Sequence, residues 1–228
     1  MPATTSEPRP PAKRSILIVD DHPVLRRGLA SLIGSQPDLA VCGEAGSCQA
    51  ALKAIRESPP DLAIVDLALA GSDGLDLIKE MKTRHPEIPA LVLSMHDEAV
   101  YAERSLRAGA RGYLSKQQLD ETVLVAIRRL LAGETYMSEE VAARLAAKFI
   151  AGHAPGNDSP MEALSDRELQ VFRLIGQGRS TRRIAESLHL SIKTIESHRE
   201  HIKRKLNLET AAELAWRATQ WVETGRNG

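Results

Sequence analysis

Cysteine is almost absent from this 228-residue chain, which has only Cys42 and Cys48. Without a second pair they supply neither a disulfide framework nor a four-ligand metal set, and the expectation is two small buried side chains in a reducing compartment. Any apolar run long enough to cross a bilayer is missing too. Residues 1–14 are rich in Pro, Ser and Thr and lack the apolar stretch of a secretion signal. This predicts a disordered leader and a soluble, cytoplasmic protein with no membrane partner. Nor is there net charge of either sign, because 30 Lys and Arg balance 30 Asp and Glu. The balance is uneven along the chain: 18 basic against 21 acidic residues through Pro160, then 12 against 9. A mild basic excess in the C-terminal third suggests an anionic partner there.

What is present is 43% hydrophobic residues, enough for real cores, over a length that suits two domains. From Ser15 short β-rich runs alternate with stretches of helical period, the pattern of a doubly wound parallel sheet. Five strands are expected: Ile16 to Val19, Leu39 to Glu44, the run ending at Asp66, Ala90 to Ser94, and Gly112 to Ser115. Helices follow at about 23–35, 47–57, 75–84, 98–107 and 119–131.

Parallel strands joined by right-handed crossovers open their carboxyl ends on one edge. That edge collects Asp20, Asp21, Asp66, Ser94 and Lys116. Three crowded carboxylates repel one another unless a cation holds them, and Mg2+, hard and oxygen-preferring, is the natural occupant. A lysine and a hydroxyl beside it suit a phosphoryl group, with Asp66 as the nucleophile that becomes an acyl phosphate. The plainer alternative is five unrelated polar strand ends. His22, His85 and His96 read as solvated loop residues.

These residues resemble the receiver domain of two-component response regulators, a flavodoxin-like fold, over the whole stretch from Ser15 to about Leu131. The resemblance implies that Asp66 is the phosphoacceptor. It also implies that Asp20, Asp21, Asp66 and the Ala68 carbonyl serve Mg2+, Asp20 through water. Ser94 and Lys116 would contact the phosphoryl group, and Ser94 with Tyr113 would form the switch. Two positions depart from the family: Ala70 stands where Pro is common, and Gln117 follows the lysine where Pro, often cis, is common.

Beyond Gly133, residues 136–150 read as a helix with Val141, Leu145, Ala146 and Phe149 on one stripe. Residues 151–160 are turn-formers and predict a flexible tether. Ser165 to Glu168 is a capping box that starts a new helix. Ser180 and Ser191 cap two more, so that a helix-turn-helix is expected. On the third helix Ile195, Ile202 and Leu206 share one face, and Lys193, Ser197, Glu200 and Arg204 point away, with Glu196 to the side. A solvated amphipathic helix looks alike, but residues 179–206 hold eight Lys and Arg against three Glu, which suits phosphate neutralisation. His198 and His201 have no further ligands near them and read as helix edge or phosphate contacts.

The run from Leu164 through Leu206 resembles the LuxR-type DNA-binding domain. Joined to a receiver, it is similar to the NarL/FixJ family of transcriptional response regulators. The resemblance implies that Glu196, Ser197 and Glu200 face bases, and that Lys193, Thr194, Arg199 and Lys203 lie near phosphates. It further implies a dimer-forming last helix with Leu214 and Trp216, the alternative for Trp216 being core packing. The expected division is leader 1–14, receiver 15–133, linker helix and tether 134–160, and DNA-binding domain 161–228.

The expected function is therefore a transcription factor that a sensor histidine kinase phosphorylates, and that then pairs as a homodimer on promoter half-sites of double-stranded DNA. It would be no enzyme beyond catalysing its own phosphorylation and dephosphorylation. Two rivals stand beside it. An aspartyl phosphatase would need a second carboxylate where Ala68 stands. A phosphorylation-independent DNA-binding regulator would use the receiver only as a protein-interaction surface.

Overall fold

The computed structural model describes residues 13–69, 72–95, 98–118, 121–150 and 160–224. Most of the leader, most of the tether, Ala70 and His96 lie outside them. Strand β1 (Arg14–Val19) from Ile16 onward and all of β3 (Leu62–Val65) are apolar and buried, because both faces of these stretches are covered. With β2 (Leu39–Ala45), β6 (Ala90–Ser94) and β7 (Gly112–Ser115) they form a parallel sheet in the order β2-β1-β3-β6-β7. The chain leaves β1 to one side and returns to β3 on the other, which makes the carboxyl ends of β1 and β3 a topological switch point. A short hairpin, β4 (Ala68–Leu69) with β5 (Ser72–Asp73), follows β3.

Residue alternation along the strands divides the core in two. Ile16, Ile18, Ile64 and Leu91 face α1 (Pro23–Gly34) and α5 (Thr122–Leu131). Leu17, Val19, Val65 and Val92 face the layer of α2 (Cys48–Glu57), α3 (Gly74–Arg84) and α4 (Glu98–Ala108). Pro23 opens α1, where its missing N–H costs nothing, and Ser47 caps α2 by accepting from the Ala50 N–H.

Four expectations are corrected here. Cys42 is exposed, because β2 is the sheet's outer strand and only part of it is covered, and Cys48, the first residue of α2, is half-buried. The last receiver helix begins at Thr122 rather than near 119, after a 3-10 turn over Lys116–Gln118. Tyr136 does not open a helix. It lies along β7 instead, accepting from the Tyr113 N–H at 2.9 Å and donating its own N–H to Arg111 O at 3.0 Å. The edge strand offers unpaired backbone groups, and Gly112 sits in a crowded place, where a Cβ would stand 2.9 Å from Leu91 Cδ1 and 3.1 Å from both Leu130 Cδ1 and Tyr136 O. The helix α6 then runs from Glu139 to Ile150; Val141 is buried on it and Ala146 is exposed, so the inward stripe is narrower than the pattern implies.

A 3-10 turn (Pro160–Ala163) leads into four helices: α7 (Asp166–Gly176), α8 (Thr181–Ser187), α9 (Ile192–Leu206) and α10 (Ala211–Thr224). The capping box at Ser165 and Glu168 is formed in both directions, and Ser180 and Ser191 cap α8 and α9. Asn207 ends α9 in the left-handed conformation at φ 54°, a place Asn tolerates.

Candidate functional site

Two polar constellations stand out, one at the sheet's rim and one on α9. At the rim, the Asp66 N–H donates to Val19 O at 2.8 Å, which fixes the end of β3 beside the end of β1. Asp20, Asp66 and Lys116 are buried there and Asp21 is half-buried. The Lys116 Nζ lies 2.6 Å from Asp20 Oδ2 and 2.7 Å from Asp66 Oδ2. Burial foremost pushes the Asp66 carboxyl above its ordinary value, against the pull of Lys116. The other Asp66 oxygen, Oδ1, accepts from the Ala68 N–H at 3.2 Å.

One ammonium does not balance three carboxylates. Oxygen atoms of Asp20, Asp21 and Asp66, with a ring nitrogen of His22, lie within 4.8 Å of one another. Asp20 Oδ2 and Asp21 Oδ1 are buried without a hydrogen bond of good geometry, although Lys116 and His22 stand near them. A converging set of hard oxygens with unused lone pairs fits a divalent cation. His22 is a solvated loop residue, as expected, and its Nδ1 also stands 2.7 Å from Asp21 and 3.2 Å from Asp20. Its ring stays largely exposed while it does so.

Ser94 is fully buried at the end of β6, paired in register with Ser115, the residue before Lys116. Tyr113 is fully buried too, so its ring is inside the receiver and its hydroxyl does not lie at the surface. No cis peptide bond occurs among the described residues, and the bond after Lys116 is trans. Gly74 carries no sequence signal of its own, yet a Cβ there would meet Asp66 O at 2.1 Å. Only glycine lets α3 start this close to the loop after Asp66.

On α9, Ile195 and Ile202 are fully buried and Leu206 partly, which anchors one face. Lys193, Glu196, Ser197 and Glu200 are exposed on the other; Thr194, Arg199 and Lys203 are half-buried. The Thr194 hydroxyl sits 2.7 Å from Ser191 Oγ, and the Lys203 Nζ 3.0 Å from Glu200. Glu168 pins α9 to α7: its Oε2 accepts from the Ser165 N–H at 2.7 Å and from Lys205 Nζ at 2.7 Å. Burial opposes its ionisation, but Lys205 and Ser165 outweigh burial and hold the carboxyl below the usual glutamate value.

Glu168→Ala is expected to destabilise the C-terminal helices by about 2 kcal/mol at neutral pH, since the cap and the ion pair go together. An acid whose value is lowered by folding stabilises above its unfolded value and ceases to as pH falls. The deficit of the variant should therefore shrink in acid. Denaturant unfolding at several pH values checks this, and Glu168→Gln, which keeps the cap, should lose less.

Of the two residues read as dimer-forming, Leu214 is fully buried and belongs to the small domain's own core, where α10 crosses α7. Trp216 is 63% exposed, so surface contact and not core packing is open to it. Trp221 packs instead between Phe172 and Tyr101 of α4, with ring centroids 5.7 and 6.3 Å away. The sequence gives no hint of this junction. Arg104 of α4 completes it, donating to the carbonyls of Met161 at 2.9 Å and Leu164 at 2.8 Å and to Asp166 at 2.9 Å.

An acid pocket at the switch point of a five-stranded parallel sheet, followed by a capped helix-turn-helix, defines a receiver coupled to a nucleic-acid reader. Two family models match the chain: the response regulator receiver domain over residues 16–128, and the luxR family of bacterial regulatory proteins over residues 162–218. The transcriptional activator protein ExaE of Pseudomonas putida is 38% identical over 199 residues, 87% of this chain and 92% of that protein. The oxygen regulatory protein NreC of Staphylococcus haemolyticus is 36% identical over 204 residues, 87% of this chain and 94% of that one. Among solved structures, RcsB of Salmonella enterica serovar Typhimurium bound to the promoter rprA in the presence of the phosphomimetic BeF3- is similar. It is 26% identical with a TM-score of 0.66, covering 91% of this chain and 99% of that one. The chain belongs to the NarL/FixJ family of transcriptional response regulators, a receiver domain joined to a LuxR-type DNA-binding domain.

Proposed function

We propose that Asp66 accepts a phosphoryl group from a phosphohistidine of a sensor kinase and that the resulting charge controls dimerisation and DNA binding. The observation that carries this reading is the buried Asp66 carboxylate at the rim, with Lys116 bridging it to Asp20. A carboxylate oxygen of Asp66 attacks phosphorus as the bond to the histidine nitrogen breaks; the electron pair leaves with that nitrogen. Lys116 and Ser94 would receive the phosphoryl oxygens, and Tyr113 would follow Ser94 as the site changes. A Mg2+ ion held by Asp20, Asp21, Asp66 and the Ala68 carbonyl would supply further neutralisation of the phosphoryl charge. The same residues would serve the hydrolysis of the acyl phosphate, which is the only catalysis the reading assigns. Beside the rim, an apolar cleft of about 750 Å³ lined by Val24, Leu25, Leu29 and Met95 offers a kinase a surface next to Lys116.

In this reading residues 15–133 are the receiver, 134–160 the linker and 161–228 the DNA-binding domain. Glu196, Ser197 and Glu200 face bases, and Lys193, Thr194, Arg199 and Lys203 serve phosphates. Trp216 supplies the α10 contact of the homodimer. The promoter complex of RcsB formed with a phosphomimetic supports double-stranded DNA as the ligand. No described helix is long and apolar enough to cross a membrane. The cytoplasm is the place of a regulator whose ligand is DNA.

The test is affinity for DNA selected from a random pool, with and without acetyl phosphate and Mg2+. Phosphorylation is expected to tighten binding about tenfold or more, the effect of a population shift of a little over 1 kcal/mol. Equal affinity in both states would leave the receiver as a binding surface only. Lys193→Ala should weaken binding alike on all sequences and reduce the salt slope by about one.

A further inference from the structure

Asp20 stands one residue beyond the last rung of β1. Its N–H donates to Ala45 O at 3.0 Å, the end of β2, where the chain leaves the sheet for Gly46 and the Ser47 cap of α2. In a parallel ladder the carbonyl of the same residue turns toward the same neighbour, two residues further along it. That stretch of β2 does not exist. A side chain takes its place: the Arg26 Nη1 donates to Asp20 O at 2.6 Å. The Nε of the same guanidinium donates to Glu44 Oε2 at 3.3 Å, so the fork ties β1 to β2 above the end of their ladder. Arg26 is only 18% exposed, and its own N–H donates to His22 O as part of the first turn of α1.

We propose that Arg26 is a positioning residue for the acid pocket: by holding the Asp20 carbonyl it fixes the backbone at Asp20 and Asp21, and so aims both carboxylates at one point. The inference rests on the reading of that pocket as the divalent-cation and phosphoryl site. The planar fork serves both acceptors at once, whereas a lysine reaches only one of them, and it is the bond to the Asp20 carbonyl that positions the acids. Arg26 does not touch the reacting atoms. Its effect is on how well the oxygens converge, hence on cation affinity and not on the reaction once the cation is bound.

The experiment uses the full chain and Mn2+ as the probe, its binding followed by electron paramagnetic resonance, alongside phosphorylation by acetyl phosphate over a Mg2+ series. Arg26→Ala is expected to weaken Mn2+ binding about tenfold, and the phosphorylation rate should recover to within about twofold of wild type at saturating Mg2+. Arg26→Lys, which keeps one bond, should fall between the two. Glu44→Gln removes the ion pair and leaves the carbonyl bond, so its Mn2+ affinity should stay within about twofold of wild type. A purely architectural arginine would lower the thermal midpoint of Arg26→Ala and leave Mn2+ affinity unchanged, which would overturn the inference. Equal weakening by Glu44→Gln would overturn it as well. Failure of the wild-type chain to bind Mn2+ is a distinct result, and it would remove the reading of the pocket itself.

Discussion

Asp66→Asn is expected to abolish phosphate uptake from acetyl phosphate, with mass spectrometry of the intact chain showing one added phosphoryl group on wild type and none on the variant. The amide matches the carboxylate in size, so the sheet and the hairpin after it keep their form. What goes is the nucleophile: an amide oxygen cannot form the acyl phosphate at this site. Lys116 keeps Asp20 at 2.6 Å and is not left alone. The same substitution has a thermodynamic signature. Burial raises the Asp66 carboxyl above its ordinary value, so folding favours its protonated form, and its contribution is present at low pH and lost as pH rises. The variant should therefore be more stable than wild type at neutral pH, with the gap closing in acid. Uptake of phosphate by the variant at the same site would refute the assignment.

Arg104→Ala should open the junction between the receiver and the C-terminal helices. The guanidinium, 11% exposed, serves the carbonyls of Met161 and Leu164 and one oxygen of Asp166. Lys79 holds the other Asp166 oxygen at 2.6 Å, so that the acid keeps a partner while the two carbonyls lose theirs. Truncating one member of such a desolvated set costs about 3 kcal/mol, more than many domain contacts retain in surplus. Trp221 would then leave Tyr101. In a Trp216→Phe background its emission should shift to the red, and small-angle scattering should show a larger radius of gyration. Unchanged emission and scattering would show that the aromatic contact alone holds the junction. The exposed face of α9 is already free in this arrangement, so opening changes where the DNA-binding domain can go and not whether its recognition helix is covered.

The residues that converge at the rim were readable because each sits at a strand end with an unambiguous pattern around it. Asp20, Asp66 and Lys116 follow apolar runs, and parallel topology sends all such ends to one edge. The helix starts at Ser165, Ser180 and Ser191 were readable for a similar reason, since a cap is a local motif whose partners lie three residues away. Arg26 was not, because it acts through a backbone carbonyl six residues back. His22 was legible as a solvated loop residue, and only its ring's approach to the acids needed the folded chain. Tyr136 departs from the predicted helix start because the same residues suit an edge-strand pairing, and only the unpaired side of β7 decides between them.

The sequence alone determined the alternation of strand and helix, the two domains' character and the chemistry gathered at the sheet's edge, because period, capping and strand-end identity are written within a few residues of one another. The tertiary structure decided the rest. That Leu214 belongs to a core while Trp216 faces solvent, that Arg104 clasps a turn nearly sixty residues away, and that Arg26 completes a ladder β2 abandons are all outcomes of packing. Each depends on which surfaces meet after the elements have formed, and no local pattern encodes that.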